Sequence, residues 1–325
     1  LDVLEVTLRT PAALDAVRSI RDAVPEAIVG VGTVLSREQL DAVHAAGARF
    51  AVSPGVIDRL LDALADHPVP LLPGAAIVSE ALRLRERGFS RFKTRLGKNW
   101  DYDTSAVRRV SAAIAPWGRL LVDGSHRYDL ETAVRFDDVL AEHDVFWFEE
   151  PFPPEELDRY AALRPRLKTP LAAGENDFGL QGFRELMRAG AVDIVQADAC
   201  RAGGITELRR IIAMAAEHQL KFAPHTWSDA VALVANAHLA ASTPLGLTVE
   251  VDQTGNPFIE ELLCEPLTIR DGQLLLGDRP GLGVEVDPAA LARLTLPRGQ
   301  TIPPGNYSDL IYQPEYAYEA PPYAG

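Results

Sequence analysis

Short apolar runs alternate with longer amphipathic stretches along most of the chain. Runs rich in Val, Ile, Leu and Phe predict strands, and the stretches between them have the apolar spacing of helices. The eleven predicted strands are residues 4–10, 28–33, 50–54, 71–74, 91–95, 120–123, 145–149, 170–175, 194–198, 222–225 and 247–250. The alternation is typical of βα units around a parallel sheet.

Eleven strands are more than the eight that close a (β/α) barrel, so one undecorated barrel does not account for the chain. No low-complexity linker marks a boundary between two parts. Residues 301–325 differ from the rest, because they carry five of the eight tyrosines and five prolines without periodicity. We expect them to form an extended tail that packs on a surface.

The net charge of the chain argues against some classes of binding partner. The chain has 46 acidic against 32 basic residues and a net charge of −14, which argues against nucleic acid or an anionic membrane as a partner. Its two cysteines form no disulfide framework, and no apolar run reaches the roughly 20 residues of a membrane span. We expect a cytoplasmic protein that acts on a small molecule, with unpaired strand edges that favour a homo-oligomer.

Three predicted strands end in a carboxylate: Asp123 after L-L-V, Glu149 after F-W-F, and Glu175 after L-A-A-G. The spacing is 26 residues in both steps, so successive βα units aim the three acids at one point of a barrel's catalytic face. Converging carboxylates require a cation, and hard oxygen ligands suit Mg²⁺. For any one of them, the simpler interpretation is a charge at the start of the next helix; Glu150 is the expected structural neighbour of Glu149.

The next two strand ends carry Asp198 and His225, which predicts an acid–imidazole pair on adjacent strands. Such a carboxylate raises the basicity of the imidazole, so His225 is a candidate general base. Glu250 ends the last predicted strand as a candidate acid or hydrogen-bond donor, or as a salt-bridged acid at the rim.

Lys93 and Arg95 lie two residues apart on one strand and therefore share a face. A cation pair opposite a carboxylate-rich metal site can hold a substrate carboxylate. The alternative is a pair of interior charges that neighbouring acids satisfy.

Residues 81–296 resemble the C-terminal barrel domain of the enolase superfamily, in its mandelate racemase subgroup. The matching motifs follow in family order: K-T-R-L-G, V-D-G-S, W-F-E-E-P, A-G-E-N, Q-A-D-A-C-R-A-G-G-I-T, P-H-T-W and V-E-V-D. The resemblance implies a TIM-type (β/α) barrel with Mg²⁺ at Asp123, Glu149 and Glu175. It further implies that the His225–Asp198 pair abstracts a proton α to a carboxylate, giving a metal-stabilised enediolate near Glu250.

Two residues depart from the family pattern. Arg95 stands where the subgroup has a second, basic lysine, and arginine stays protonated, so two-sided proton traffic as in racemisation is disfavoured. Ser125 stands where the subgroup often has Asn. The favoured activity is therefore dehydration of an acid sugar, a lyase reaction in which Lys93 and Arg95 contact substrate.

Residues 1–93 instead resemble part of the 2-keto-3-deoxy-6-phosphogluconate aldolase family, through L-E-V-T-L-R-T, V-G-V-G-T-V-L, A-V-S-P-G and P-L-L-P-G-A-A. That resemblance implies Glu5 as general acid/base, with Arg9, Thr33 and Pro54 lining its pocket. It also aligns Lys93 with the family's Schiff-base lysine. The match lacks the family's first βα unit and its phosphate-binding part.

The two resemblances meet in one helix, S-E-A-L-R-L-R-E-R-G-F. We therefore expect an aldolase-like partial βα segment over residues 1–92, an enolase-type barrel domain over residues 93–300, and the tail. The enolase superfamily's N-terminal capping domain, which selects the substrate, has no counterpart in residues 1–92. The alternatives to an active dehydratase are an inactive or uncapped fusion of two barrel fragments and a Schiff-base aldolase.

Overall fold

The computed structural model describes residues 3–8, 12–32, 34, 36–53, 67–68, 71–73, 76–253 and 255–295. The chain divides into two compact units, Leu1–Glu86 and Arg87–Gly325. The predicted tail lies outside the described residues, as do Arg9, Thr33, Pro54 and the side chain of Glu5.

The first unit contains a parallel sheet with its strands in chain order, β1-β2-β3-β4. The strands are β1 Val3–Thr7, β2 Ile28–Gly32, β3 Phe50–Ser53 and β4 Leu71–Pro73, and the helices are α1 Ala13–Ala23, α2 Arg37–Ala45 and α3 Ala76–Arg85. Val17, Val29, Leu40 and Val43 are fully or almost fully buried in its core. Gly30 pairs with Phe50 across two strands, and a Cβ there would lie 2.1 Å from the Phe50 ring, so only glycine fits.

The second unit repeats the same βα step six times, and it ends in shorter elements. Its strands are β5 Arg91–Arg95, β6 Arg119–Asp123, β7 Phe148–Glu149, β8 Leu171–Ala173, β9 Ile194–Val195, β10 Lys221–Phe222, β11 Ile269–Arg270 and β12 Gln273–Leu274. Its helices are α4 Trp100–Ile114, α5 Leu130–Glu142, α6 Leu157–Leu163, α7 Gly179–Arg188, α8 Gly204–Glu217, α9 Ala230–Ala241, α10 Pro257–Glu260 and α11 Pro288–Leu294, with a 3₁₀ turn at Arg164–Arg166.

Strands β5 to β10 pair in parallel and in chain order, which is the strand order of a (β/α) barrel rather than of a doubly wound sheet. Leu121, Trp147, Ala172, Ile194 and Ala223, one from each strand region after β5, pack together as an interior layer. Residues two positions later on these strands share the same face. The interior layer therefore positions the next layer of side chains at the carboxyl ends of the strands.

Ten of the eleven predicted strands are confirmed, and the eleventh is wrong. In residues 247–250 the ladder stops after one bridge from Phe222 to Gly246, where the carbonyl oxygen of Ala240 approaches the glycine. The antiparallel hairpin β11–β12 was not predicted, although its Asp271-Gly272 turn, with φ of 51° and 69°, is a typical hairpin signal.

Helix α4 begins at Trp100. The side chain of Asn99 accepts a hydrogen bond from the Tyr102 amide at 2.9 Å and caps the helix there. Within the part of the chain that the structure describes, no helix combines the length and apolarity needed to cross a membrane.

Candidate active site

The three predicted carboxylates lie at the carboxyl ends of neighbouring strands. Asp123 ends β6 and is in register with Glu149, which ends β7, while Glu175 follows β8 by two residues. Asp123 and Glu149 are 3% and 0% exposed, and Glu175 is 9% exposed. Burial of three acids at one edge costs free energy unless cations or hydrogen-bond donors compensate them.

Glu149 has a partner on each oxygen. The Lys93 ammonium donates to its Oε1 at 2.7 Å, and the Trp147 indole donates to its Oε2 at 2.8 Å. Lys93 Nζ also lies 2.7 Å from Glu250 Oε1. Burial lowers the pKa of Lys93, but Glu149, Glu250 and Asp123 raise it further, so its net pKa is above the ordinary value and Lys93 stays charged.

Asp123 is paired in a similar way. Arg95 Nε donates to its Oδ2 at 2.8 Å, and the Ser125 amide donates to its Oδ1 at 2.8 Å. Burial and the nearby Glu149 raise the pKa of Asp123 despite Arg95 and Lys93. Lys93 and Arg95 thus face the carboxylates, as their shared strand face predicts, and both are ion-paired with them.

Glu175 is different, because its Oε2 is buried without a hydrogen-bond partner among the described residues. His225 Nε2 lies 3.5 Å from this oxygen, too far for a good hydrogen bond, and attracts it only when the imidazole is protonated. Burial, together with repulsion from Glu150 and Glu149, raises the pKa of Glu175 to about 7. The carboxylate cluster is therefore short of positive charge at Glu175.

His225 and Asp198 form a buried pair at the ends of β10 and β9. His225 Nδ1 lies 2.9 Å from Asp198 Oδ2, and Asp198 Oδ1 accepts from the Cys200 amide and from Asn236 Nδ2. These hydrogen bonds lower the pKa of Asp198 against the effect of its burial. The pKa of His225 is lowered by burial, but Asp198, Glu175 and Glu250 raise it to a net value above normal.

Glu250 reaches the site although its segment is not a strand. Its Oε2 accepts from the Thr226 amide at 3.3 Å, next to His225, and its Oε1 pairs with Lys93. The side chain is 19% exposed. Glu250 therefore lies between Lys93 and the segment that carries His225.

Sequence reasoning missed a second layer behind the carboxylates. Glu150 is 2% exposed and accepts from the Gly174 amide and from Asn176 Nδ2, and it lies 2.5 Å from His126 Nε2. Positive φ angles at Ser125, His126 and Glu150 turn the chain sharply after β6 and β7. The W-F-E-E-P motif predicted only that Glu150 is a structural neighbour of Glu149. It contained no signal for the hydrogen-bond partners of Glu150.

The donor set fits Mg²⁺ by its chemistry, since three buried carboxylates supply hard oxygens and Glu175 Oε2 has no partner of its own. As the described side chains stand, no group of three or more His, Cys, Asp or Glu residues is close enough to hold a metal ion. Two of the three carboxylates are instead paired with Lys93 and Arg95. A cation at this point would take its oxygens from Asp123, Glu149 and Glu175.

Comparison with known families agrees with this fold. Residues 76–290 match the family described as "Enolase C-terminal domain-like", and the chain belongs to that family. Residues 1–96 match the family described as "KDPG and KHG aldolase". The barrel-type unit and the aldolase-like segment that the motifs predicted are thereby confirmed.

The curated relatives fall into the same two groups. D-galactarolactone cycloisomerase of Agrobacterium fabrum is 37% identical over 227 residues, which is 67% of this chain and 60% of that protein. L-talarate/galactarate dehydratase of Salmonella typhimurium is 34% identical over 61% of this chain and 48% of that protein. KHG/KDPG aldolase of Escherichia coli is 53% identical over 91 residues, which is 28% of this chain and 43% of that protein.

Solved structures show the same TIM-type barrel. The 3,6-anhydro-D-galactonate cycloisomerase from Zobellia galactanivorans has a TM-score of 0.64 at 35% identity, covering 66% of this chain and 61% of that one. L-Talarate dehydratase from Polaromonas sp. JS666, crystallised with Mg and L-glucarate, has a TM-score of 0.61 at 31% identity, covering 66% and 58%. The chain spans about half to 60% of the length of the first curated relatives.

Proposed function

We propose that this chain is a Mg²⁺-dependent acid-sugar dehydratase, a hydro-lyase that abstracts the proton α to a substrate carboxylate. The observation that carries the proposal is the buried His225–Asp198 pair, whose free ring nitrogen faces Glu175 in the carboxylate cluster. Relatives in the same family include dehydratases and cycloisomerases of sugar acids, which supports this kind of enzyme and substrate. Solved neighbours that contain Mg support the cofactor.

His225 Nε2 is the candidate base. Asp198 holds Nδ1 as the donor, which leaves Nε2 with its lone pair toward the site. Bound Mg²⁺ would supply positive charge to the substrate carboxylate and so acidify the α-carbon. Transfer of the α-proton to Nε2 moves the C–H electrons into the carboxylate as an enediolate. These electrons then expel the β-hydroxyl, which takes up the proton that Nε2 has gained and leaves as water.

Lys93 and Arg95 are the candidate contacts for the substrate carboxylate. Lys93 lies between Glu149 and Glu250, and Arg95 pairs with Asp123, so both cations stand at the edge of the metal position. Because arginine does not deprotonate, Arg95 cannot serve as a second base. With His225 as the single proposed base for the α-proton, dehydration is favoured over racemisation.

The second candidate is a Schiff-base aldolase, favoured by the 53% identity over 91 residues to an aldolase. Lys93 would have to be neutral to attack a keto acid. Its ion pairs with Glu149 and Glu250 raise its pKa and keep it protonated. The described geometry therefore disfavours this activity at Lys93.

A third candidate is an inactive or uncapped fusion, with an aldolase-like segment at residues 1–92, a barrel domain at 93–300 and a tail at 301–325. It predicts that the site forms and binds Mg²⁺ without turnover. A cytoplasmic location and a homo-oligomeric state stay predictions.

The test is exchange of the α-proton with solvent D₂O over a panel of sugar acids, read by NMR. We expect Mg²⁺-dependent exchange that EDTA abolishes, with release of a dehydrated keto acid. Exchange that persists in EDTA would refute the metal-dependent mechanism. Reductive trapping with pyruvate and borohydride would detect the aldolase, and bound Mg²⁺ without exchange on any substrate would favour the inactive fusion.

A further inference from the structure

Buried polar atoms without partners are concentrated at the candidate site. Among the described residues five such side-chain atoms occur, and three lie at the carboxyl ends of β6, β8 and β9: Ser125 Oγ, Glu175 Oε2 and Gln196 Oε1. A buried acceptor left without a donor costs stability. A cation would pair with Glu175 Oε2, but no step of the proposed reaction uses Gln196.

Gln196 faces the interior of the barrel-type sheet. Ile194 lies in the interior layer, and Asp198 reaches His225, so the residue midway between them shares their face. The Gln196 amide extends the ladder by donating to the Ala173 carbonyl at 2.9 Å. Gln196 thus stands on the strand between those that carry Glu175 and His225, and it is 2% exposed.

We infer that Gln196 is a specificity-determining residue, whose Oε1 accepts a hydrogen bond from a hydroxyl group of the bound sugar acid. The inference rests on the proposed function for the substrate class. Glu175 Oε2 and Gln196 Oε1 are both acceptors without a partner at the ends of neighbouring strands, so each requires a donor. A sugar acid supplies hydroxyl donors next to the carboxylate that the cations hold, and an analogue without hydroxyls leaves the amide unpaired.

Asn236 provides a matched comparison, because it is a buried amide of the same unit with all its groups bonded. Its Nδ2 donates to Asp198 Oδ1 and the His225 carbonyl, and its Oδ1 accepts from the Ala199 amide. It is 0% exposed. A structural amide loses these bonds on substitution, whereas an amide kept for a ligand has none to lose in the free protein.

The experiment compares Gln196→Leu with Asn236→Leu by thermal unfolding without ligand. Gln196→Leu should keep or raise Tm, because it removes an unpaired buried acceptor, and Asn236→Leu should lower it. A fall in Tm for Gln196→Leu that equals the fall for Asn236→Leu would show a structural partner and overturn the inference.

The second arm titrates the unaltered protein and Gln196→Leu with galactarate and with adipate, its six-carbon analogue without hydroxyls, at saturating Mg²⁺. We expect galactarate to bind Gln196→Leu about 3- to 10-fold more weakly, with adipate unchanged. Equal affinity of both proteins for galactarate, or a loss that appears in Mg²⁺ binding alone, would overturn the inference. Failure of the unaltered protein to bind galactarate would count against the proposed function, while the Tm comparison still decides the inference.

Discussion

The two sides of the candidate site differ in how completely their polar groups are satisfied. On the imidazole side, Asp198 accepts bonds from His225, Cys200 and Asn236, and the pair is held in one orientation. On the carboxylate side, Glu175 Oε2 lacks a partner and its pKa is raised to about 7. The comparison teaches that the hydrogen bonds of the protein already hold the imidazole in place, whereas Glu175 still lacks a compensating charge.

The largest expected effect comes from removing the proposed base on the imidazole side. His225→Asn should lower the rate of Mg²⁺-dependent α-proton exchange by at least about 10³-fold, because no described side chain replaces its free ring nitrogen. NMR of the exchange reaction measures it. His218→Asn, at the exposed residue that follows α8, is the matched control and should keep the full rate. Equal rates for all three proteins would remove His225 from the mechanism.

Asp198→Asn tests the orientation of that base. Asp198 raises the pKa of His225, so the variant's imidazole should deprotonate at lower pH. We expect kcat to fall about 10²-fold and the acidic limb of the kcat/KM profile to move to lower pH. A fall in rate with an unmoved limb would mean that Asp198 does not act through His225.

Glu175→Gln tests the carboxylate side through the unfolding free energy of the protein in EDTA. With a folded pKa of about 7 against an ordinary 4.5, Glu175 binds more protons in the folded state between these values. The unfolding free energy of the metal-free protein should therefore fall as pH rises through this window, and the variant should escape that loss.

Urea unfolding at pH 5 and pH 8 measures the difference between the two proteins. We expect the variant to gain on the order of 2 kcal/mol relative to the unaltered protein over this range. A pH-independent difference would show that Glu175 is compensated without metal.

The smallest expected effect is that of Ser125→Ala. Its Oγ is buried without a partner among the described residues, while the Ser125 amide that holds Asp123 is unaffected. The unfolding free energy should change by less than about 0.5 kcal/mol. A loss above about 1 kcal/mol in urea unfolding would show that Ser125 Oγ makes a hydrogen bond in the folded protein.

Much of this arrangement could be predicted from the sequence, because strand ends in a regular βα repeat meet at one edge. That rule predicts that Asp123, Glu149, Glu175, Asp198 and His225 lie at one edge. The sequence left two alternatives open for Lys93 and Arg95, contact with substrate or pairing with neighbouring acids, because ion pairing depends on distances across strands. The rule was also wrong for the segment that carries Glu250, which was predicted as a strand and is not one. An apolar run alone does not show where the hydrogen bonds between strands stop.

The network behind the carboxylates could not be predicted either. Glu150 and His126 reach each other through left-handed backbone at both residues, a conformation with no signal in the order of apolar positions. Gln196 lay in the Q-A-D motif, but only the missing partner of its Oε1 draws attention to it.

The central claim is that Asp123, Glu149 and Glu175 hold one Mg²⁺ ion. Calorimetric titration of Mg²⁺ into EDTA-treated protein at pH 8 tests it directly, with Glu175→Gln and the remote Glu185→Gln as paired variants. We predict one bound ion in the unaltered protein and in Glu185→Gln, and a loss of binding in Glu175→Gln. Equal binding by all three proteins, or no binding by any, would contradict the claim.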